Sequence, residues 1–241
     1  MIEYPEPDVV RKSLSMAFFN KLTDADILAR HGETRKFYIS RYKESIERFT
    51  EKEKKYLNDH VIYIDRLCKR FTRFVGLKWK FVKLACCNIE QGFPHTLGDY
   101  IFLPSNFFET TVSSRQRQTL IHEKVHIFQK KFTLQTNVLI LQFWKYKIHD
   151  LKKNLTDNST IRSNPDVNDI LYSRKETVCF QKYRSDNPAS LGDSVLAGTC
   201  GTDTYEHPYE KMAYTIADII NNNTMKNSDY IETASWMQSY F

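Results

Sequence analysis

Residues His122-Glu123-Lys124-Val125-His126 contain the pattern His-Glu-x-x-His, whose side chains suit metal-assisted hydrolysis. Because residues four apart lie on one face of an α-helix, His122 and His126 can bind one Zn²⁺ ion together. Glu123 follows the first histidine and can face a water bound to that ion, take its proton and later deliver it to a leaving amine. The pattern therefore predicts a helical metal site in which Glu123 is the base.

The residues around this pattern favour a helix. The chain has no Pro or Gly between Val112 and Phe132. An apolar face beside the histidines is formed by Leu120, Ile121, Val125 and Phe128. Lys124 is the exception, because a long cation next to an apolar face is expected to extend outward to solvent.

A catalytic zinc site needs a third protein ligand, and Glu210 is the strongest downstream candidate. Pro208 suits the first turn of a helix, and the residues after it have helical apolar spacing. A carboxylate on a small-residue helix face needs a partner if it is buried, and a metal ion would be one. The residues that share this face with Glu210 are Ala213, Tyr214 and Ala217.

Two alternatives remain open at this position. Glu210 could instead form a salt bridge with a lysine or interact with the dipole at the start of its helix. Glu206 and His207, which precede Pro208 in a predicted loop, are rival ligands.

A His-Glu-x-x-His helix followed by a later helix with Glu-x-x-Ala resembles the gluzincin group of zinc metallopeptidases, to which thermolysin belongs. The resemblance covers the middle and last third of the chain. It implies a zinc metallopeptidase with one Zn²⁺ per chain, bound by His122, His126 and Glu210, and a peptide or protein substrate. It also implies that Glu123 activates the metal-bound water.

The chain more loosely resembles uncharacterised proteins of large DNA viruses that are classed as metallopeptidases. The similar stretches are Pro94-His95-Thr96, His122-Glu123-Lys124 and Glu206-His207-Pro208-Tyr209-Glu210. One position departs from the gluzincin pattern, in which an Asp four residues after the ligand Glu often supports a zinc histidine. That position is Tyr214, which can donate a hydrogen bond but cannot act as a carboxylate.

We expect an α+β fold with a helical N-terminal region over residues 1–76 and a zincin-like core over residues 77–241. The core would contain a small mixed sheet with an edge strand, the zinc helix and the Glu210 helix. The predicted elements are a helix from Asp8 through Leu22, a second helix from Thr23, a strand from Trp79 to Cys86, a turn at 91–99, an edge strand at Tyr100–Leu103, a helix at 133–150 and a C-terminal helix at 230–241.

Residues 154–205 are polar and rich in Pro, Gly and Asn, which predicts a loop-rich insert that walls the substrate cleft. Within it, Arg162 and Tyr172 are candidates for stabilising negative charge on the substrate during reaction. His95, in the predicted turn, could reach the cleft, although a single histidine in a turn is more often exposed.

The 241 residues are 41% hydrophobic and 14% aromatic, which is enough for a substantial core. No apolar run approaches 18 residues, and the N-terminus lacks the basic and apolar regions of a signal peptide. Five cysteines without a Cys-x-x-Cys pair make a disulfide framework unexpected and favour a reducing, intracellular compartment such as the cytoplasm.

The formal net charge is +6, and part of it is concentrated in the basic segment 115–153. Basic side chains there predict either a solvated face or a surface for acidic partners or nucleic acid. The alternative to a peptidase is therefore a catalytically inactive zincin-like scaffold that binds a partner or nucleic acid through this segment.

Overall fold

The computed structural model describes residues 1–85, 89–109, 112–155, 158–200, 205–221 and 227–241. The α-helices are α1 (Pro7–Ser13), α2 (Ala17–Lys21), α3 (Asp24–Ala29), α4 (Arg35–Glu44), α5 (Glu51–Leu67), α6 (Thr72–Val75), α7 (Ser113–Lys131), α8 (Thr133–Asn137), α9 (Pro208–Ile220) and α10 (Ser228–Tyr240). The strands are β1 (Ile2–Glu3), β2 (Ile46–Glu47), β3 (Trp79–Leu84), β4 (His95–Leu97), β5 (Tyr100–Pro104), β6 (Lys147–Leu151), β7 (Ile170–Arg174), β8 (Thr177–Tyr183) and β9 (Ser194–Gly198).

The first sheet is mixed and has the order β1-β3-β5-β4, with β2 also paired to β3. Strand β3 is parallel to β1 and β5, whereas β2 is antiparallel to β3, and β4 is antiparallel to β5. The expected combination of helices with a mixed sheet is confirmed. Strands β1 and β2 come from the first 76 residues, so this region contributes to the sheet as well as helices.

The edge strand is β4, not the predicted Tyr100–Leu103. Strand β5, which contains Tyr100–Leu103, pairs on one side with β3 and on the other with β4. The predicted turn at 91–99 thus contains a strand. Gly98 has φ +64°, which suits the two-residue connection that folds β4 back onto β5. Three residues are too few for an alternating pattern to reveal β4.

A second sheet, fully antiparallel with the order β6-β7-β8-β9, occupies much of the predicted insert. The predicted helix at 133–150 is therefore too long: α8 continues as a π-helix over Val138–Phe143, and β6 begins at Lys147. The insert is also less loop-rich than expected. Strands β8 and β9 are mostly half-buried, and neither of their faces carries a continuous apolar set. The alternating pattern that would predict them from the sequence is therefore weak.

A disulfide joins Cys179 of β8 to Cys200, which follows β9. The sequence makes a framework of disulfides unexpected, and this single disulfide forms because the β8–β9 pairing brings together two cysteines that are distant in sequence. The finding also runs against the expected reducing compartment. Cys68 is free and buried, and Cys86 and Cys87 lie outside the described residues.

The N-terminal helices follow the predicted order with one interruption. The expected helix from Asp8 through Leu22 is divided into α1 and α2. Helix α3 begins after Thr23, whose hydroxyl accepts the Asp26 N–H while the Asp26 carboxylate accepts the Thr23 N–H. This reciprocal capping satisfies two backbone donors at the start of the helix. At the other terminus, α10 matches the predicted C-terminal helix.

The largest hydrophobic core lies where α7 and α9 pack against each other and against the first sheet. Its completely buried members on α7 and α9 are Leu120, Ile121, Val125, Phe128, Met212, Ala213, Ile216 and Ala217. The two alanines permit close approach of the helices. No helix in the described ranges has both the length and the apolarity needed to cross a lipid bilayer.

Lys124 points into this core instead of toward solvent, contrary to expectation. Its side chain is fully buried, its ammonium group lies 4.0 Å from the ring centroid of Trp79, and Asp65 Oδ1 lies 3.4 Å away. Burial lowers the pKa of Lys124 to about 8, although Asp65 opposes the change. An aromatic face and a carboxylate thus compensate for the lost hydration of this cation.

Candidate metal centre

Helices α7 and α9 bring His122, His126 and Glu210 together as a group that could hold a metal ion. His122 Nε2 lies 3.3 Å from Glu210 Oε2, and His126 Nε2 lies 3.8 Å from Glu210 Oε1. The two histidine Nε2 atoms are 3.0 Å apart. Ligand atoms about 2.0–2.1 Å from a tetrahedral Zn²⁺ lie about 3.3 Å from one another. The two imidazoles and the carboxylate therefore lie close enough together to bind one ion, with one ligand atom from each side chain within 4.8 Å of the others.

The side chain of His126 is oriented by Gln129, three residues later on α7. His126 Nδ1 lies 2.8 Å from Gln129 Oε1, and Gln129 Nε2 donates to the Tyr209 carbonyl at 2.9 Å. The second bond fixes the orientation of the amide, so its oxygen accepts a hydrogen bond from Nδ1–H and Nε2 is the ring nitrogen left to bind a metal. Burial lowers the pKa of His126, which favours the neutral form that a metal needs.

Glu210 receives its support from Asn164. The Asn164 side-chain amide donates to Glu210 Oε1 at 2.9 Å and to Glu206 Oε1 at 2.7 Å. Burial alone would raise the pKa of Glu210, but the imidazoles of His126 and His122 lower it well below its ordinary value. Glu210 is therefore ionised and fixed in place, as a metal-ligating carboxylate must be.

Glu123 lies beside this group on the wall of the same cleft. Its side chain is only 3% exposed, and its Oε2 atom has no hydrogen-bond partner among the described residues. Burial raises the pKa of Glu123 well above its ordinary value, and the charges of Asp166 and Glu210 raise it further. A carboxylate in this environment has an increased affinity for a proton, as a general base requires.

Tyr214, one turn after Glu210, contacts His122 through its ring. The two ring centroids are 4.4 Å apart in an edge-to-face arrangement. His122 Nδ1 is buried and has no hydrogen-bond partner among the described residues, so the support that an Asp at this position would give is missing. Burial raises the pKa of Tyr214 to about 12, and the hydroxyl remains protonated at neutral pH.

The cleft has a volume of about 640 Å³, within the range of pockets that enclose small ligands. Arg162 and Tyr214 line it together with Glu123 and Glu210. Tyr172 is elsewhere: its ring packs on His207, and its hydroxyl accepts a hydrogen bond from the Asn168 amide at 3.1 Å. Of the two residues considered for stabilising substrate charge, only Arg162 faces the cleft.

The rival ligand His207 has other partners. Its Nδ1 accepts the Tyr209 N–H at 3.1 Å, which caps the first turn of α9. Its Nε2 lies 3.1 Å from Asn168 Oδ1 and 3.2 Å from the Ile170 carbonyl. Burial lowers its pKa well below the ordinary value. His207 therefore positions the helix that carries Glu210 instead of joining the ligand group.

His95 is almost completely buried, not exposed as expected for a histidine in a turn. Its ring stacks on Phe102, its Nε2 lies 2.7 Å from the Tyr42 hydroxyl, and its Nδ1 lies 3.0 Å from the Phe93 carbonyl. The strand β4 that carries it accounts for the difference. His95 lines the cleft while both ring nitrogens are engaged by the protein.

Sequence reasoning missed Gln129, Asn164 and Asp166, which are the polar residues around the ligand group. Gln129 is an ordinary helical residue in the sequence, and Asn164 and Asp166 lie within the predicted loop-rich insert. Spacing on α7 could have suggested Gln129, because residues three apart are neighbours on a helix. Nothing local could have suggested the two loop residues.

The basic segment 115–153 does not form one continuous solvated face. Lys124 is buried beside Trp79, and Lys130 donates to the Thr96 carbonyl at 3.0 Å. The other lysines and arginines of the segment lie on α7, just before β6, on β6 and directly after it. This arrangement gives no support to nucleic-acid binding through the segment as a whole.

Comparison with known proteins finds no matching protein-family model, no matching curated protein and no matching solved structure.

Proposed function

We propose that this protein is a zinc-dependent peptidase with a gluzincin-like site. The observation that carries the proposal is the convergence of two imidazoles and one carboxylate within reach of one ion, next to the buried Glu123, in an open cleft. Structural zinc sites are usually closed by four protein ligands, whereas three ligands beside a carboxylate are typical of a hydrolytic site.

The choice of zinc follows from the donor atoms. Two imidazole nitrogens and one carboxylate oxygen suit Zn²⁺, whereas Mg²⁺ and Ca²⁺ prefer sites made of oxygen atoms. The two histidines are four residues apart on a rigid helix, and the carboxylate is fixed by Asn164. A preorganised set of this kind requires little rearrangement when the ion binds.

The residues of the chain divide the chemistry of peptide hydrolysis among them. A bound Zn²⁺ supplies Lewis acidity, polarising a carbonyl and making water more acidic. Glu123 takes the proton from the attacking water and delivers it to the leaving amine. Tyr214 and Arg162 line the cleft with protonated groups and can donate hydrogen bonds to the oxygen on which negative charge develops.

Metal content and hydrolysis by Glu123→Gln test the proposal together. We expect purified protein to contain about one zinc per chain, and His126→Ala to lose it. Glu123→Gln should retain zinc while hydrolysis of an unstructured peptide falls by on the order of 10³-fold or more, because the amide cannot accept the proton. Zinc binding without hydrolysis by the unaltered protein would indicate the inactive scaffold. Undiminished hydrolysis by Glu123→Gln would reject Glu123 as the base.

A further inference from the structure

Strand β4 forms the outer edge of the first sheet and lies along the cleft, where His95 contributes to the lining. An exposed strand edge beside a peptide-binding cleft is a natural place for an extended peptide to pair, because its backbone N–H and C=O groups lack partners. Whether β4 can bind a substrate in this way depends on the groups that face outward from it.

Few groups of β4 are available for pairing. Alternate residues of a strand direct their backbone groups to the same side, so the outward set would come from Pro94, Thr96 and Gly98. Pro94 has no N–H to donate, and Gly98 belongs to the turn into β5. Thr96 is thus the main position at which the edge could bind a peptide backbone.

Both backbone groups of Thr96 are already occupied by side chains. The Thr96 N–H donates to Asp166 Oδ1 at 2.6 Å, and the Thr96 hydroxyl donates to the same oxygen at 2.8 Å. The Thr96 carbonyl accepts from Lys130 Nζ at 3.0 Å. Thr96 is completely buried as a result, and an incoming strand would have to displace the side chains of both Asp166 and Lys130.

The residues leading to Asp166 are fixed along their length. Ser163 N–H donates to Asp26 Oδ1 at 2.9 Å, and the Ser163 carbonyl accepts from Arg30 at 2.7 Å. The Pro165 carbonyl accepts from Lys130 at 3.2 Å. The Asn164 side chain also donates to Glu206 and Glu210. These contacts together make the closed edge part of the cleft wall.

We propose that Asp166 and Lys130 close the substrate-pairing edge of this cleft, so that it selects short peptides that reach the ligand group without pairing with Thr96. This inference rests on the proposed peptidase function, because it concerns the substrates of the same site. The cleft volume of about 640 Å³ agrees with a short substrate. The additional backbone groups of a long unfolded chain therefore add nothing to its binding affinity.

Peptide binding as a function of length tests this closure without relying on hydrolysis. The probes are unstructured peptides from about three to about twelve residues, which span about 10 to 40 Å when extended. Binding is measured with the zinc-loaded Glu123→Gln variant, which serves as the parent. The substitutions at Asp166 and Lys130 are introduced into this parent. With the edge closed, affinity should stop rising beyond about six residues. In Asp166→Ala the longest peptides should bind about tenfold more tightly than in the parent, while the shortest are unchanged.

Asp166→Asn is the matched control, because its amide oxygen can still accept the Thr96 N–H and keep the edge closed. In the unaltered protein, the backbone N–H of Asp166 donates to Asn164 Oδ1 at 2.8 Å. The alanine variant keeps this N–H, so the loop retains the contact. Amide hydrogen exchange at Thr96 should be at least about tenfold faster in Asp166→Ala than in Asp166→Asn. Lys130→Met provides a second opening from the carbonyl side if the alanine variant does not fold.

Affinity that rises with peptide length equally in the parent and in the opened variants would overturn the inference. So would the absence of peptide binding in both opened variants, because a freed strand edge should pair with an extended chain. The peptidase proposal is judged separately, by zinc-dependent hydrolysis of short peptides by the unaltered protein. That activity can be present whether or not the edge is closed.

Discussion

Gln129 Oε1 accepts a hydrogen bond from His126 Nδ1–H at 2.8 Å, and both residues are on α7. The support of a potential metal ligand therefore comes from an amide on the same helix. Tyr214, by contrast, offers His122 a ring contact and leaves its Nδ1 atom without a partner in the described structure. The two histidines thus differ in how firmly their ring orientation is fixed, and His126 is the better positioned of the two.

Gln129→Leu should weaken zinc binding by about 10- to 100-fold, because His126 would lose the acceptor that fixes its tautomer and ring orientation. Competition with a chromogenic chelator measures the effect directly. Gln238→Leu is the control for the added apolar side chain, since Gln238 is exposed on α10. Unchanged affinity in Gln129→Leu would show that the hydrogen bond has no role in metal binding.

Tyr214→Phe should lower kcat/KM for a short peptide by about 100-fold while zinc affinity stays within about twofold. The phenyl ring preserves the contact with His122, and only the donor hydroxyl is lost. Tyr172→Phe is the matched control and should leave hydrolysis unchanged, because the Tyr172 hydroxyl is bonded to Asn168 away from the cleft. Equal losses in the two variants would contradict a direct role for Tyr214.

Because of Lys124, the free energy of unfolding should increase as the pH rises from about 8 to about 10.5. In this range the unfolded state, with a lysine pKa of 10.5, binds more protons than the folded state, in which burial lowers the pKa of Lys124 to about 8. The free energy of unfolding should therefore rise with pH by up to about 3 kcal/mol on account of this residue.

Urea unfolding of the metal-free protein at pH 7.5 and pH 10, compared with Lys124→Met, isolates this contribution. The difference in unfolding free energy between the two pH values should be smaller in Lys124→Met than in the unaltered protein. Lys55→Met should behave like the unaltered protein, because Lys55 is largely exposed on the surface of α5. An identical pH dependence in all three proteins would mean that Lys124 titrates normally in the folded state.

Reduction of the disulfide should destabilise the second sheet. The cysteines are 21 residues apart, and a cross-link that closes a loop of this length contributes about 3 kcal/mol to the free energy of unfolding. Unfolding by urea with and without a reductant measures the difference. The double variant Cys179→Ser/Cys200→Ser should not respond to reductant, whereas Cys68→Ala should respond as the unaltered protein does. If the reductant still lowers the free energy of unfolding of the double variant, the effect comes from other cysteines.

The parts of the site carried by helices could be predicted from sequence, because helical periodicity is a local property. His122 and His126 share a face through their spacing alone, and Pro208 correctly marked the start of the helix with Glu210. The convergence of these helices was inferred from residue types and is now seen as distances between side chains. Their catalytic roles remain predictions.

The parts formed by long-range pairing could not be predicted in the same way. Strand β4 has three residues, and its identity depends on pairing with β5 and on Gly98. The second sheet and the Cys179–Cys200 disulfide depend on pairing between half-buried strands, for which the sequence has no clear alternation. Lys124 was misjudged for a related reason, since its partners Trp79 and Asp65 are distant in the chain.

Arg30 of the N-terminal region connects two walls of the cleft. Its guanidinium group is buried and bonds Glu90 at 2.6 and 3.0 Å, Asp26 at 3.0 Å and the Ser163 carbonyl at 2.7 Å. An isolated buried carboxylate such as Glu90 would be costly without this cation. Proteolytic removal of the first thirty residues would therefore spare His122, His126 and Glu210 and still deprive the protein of the framework that shapes the cleft.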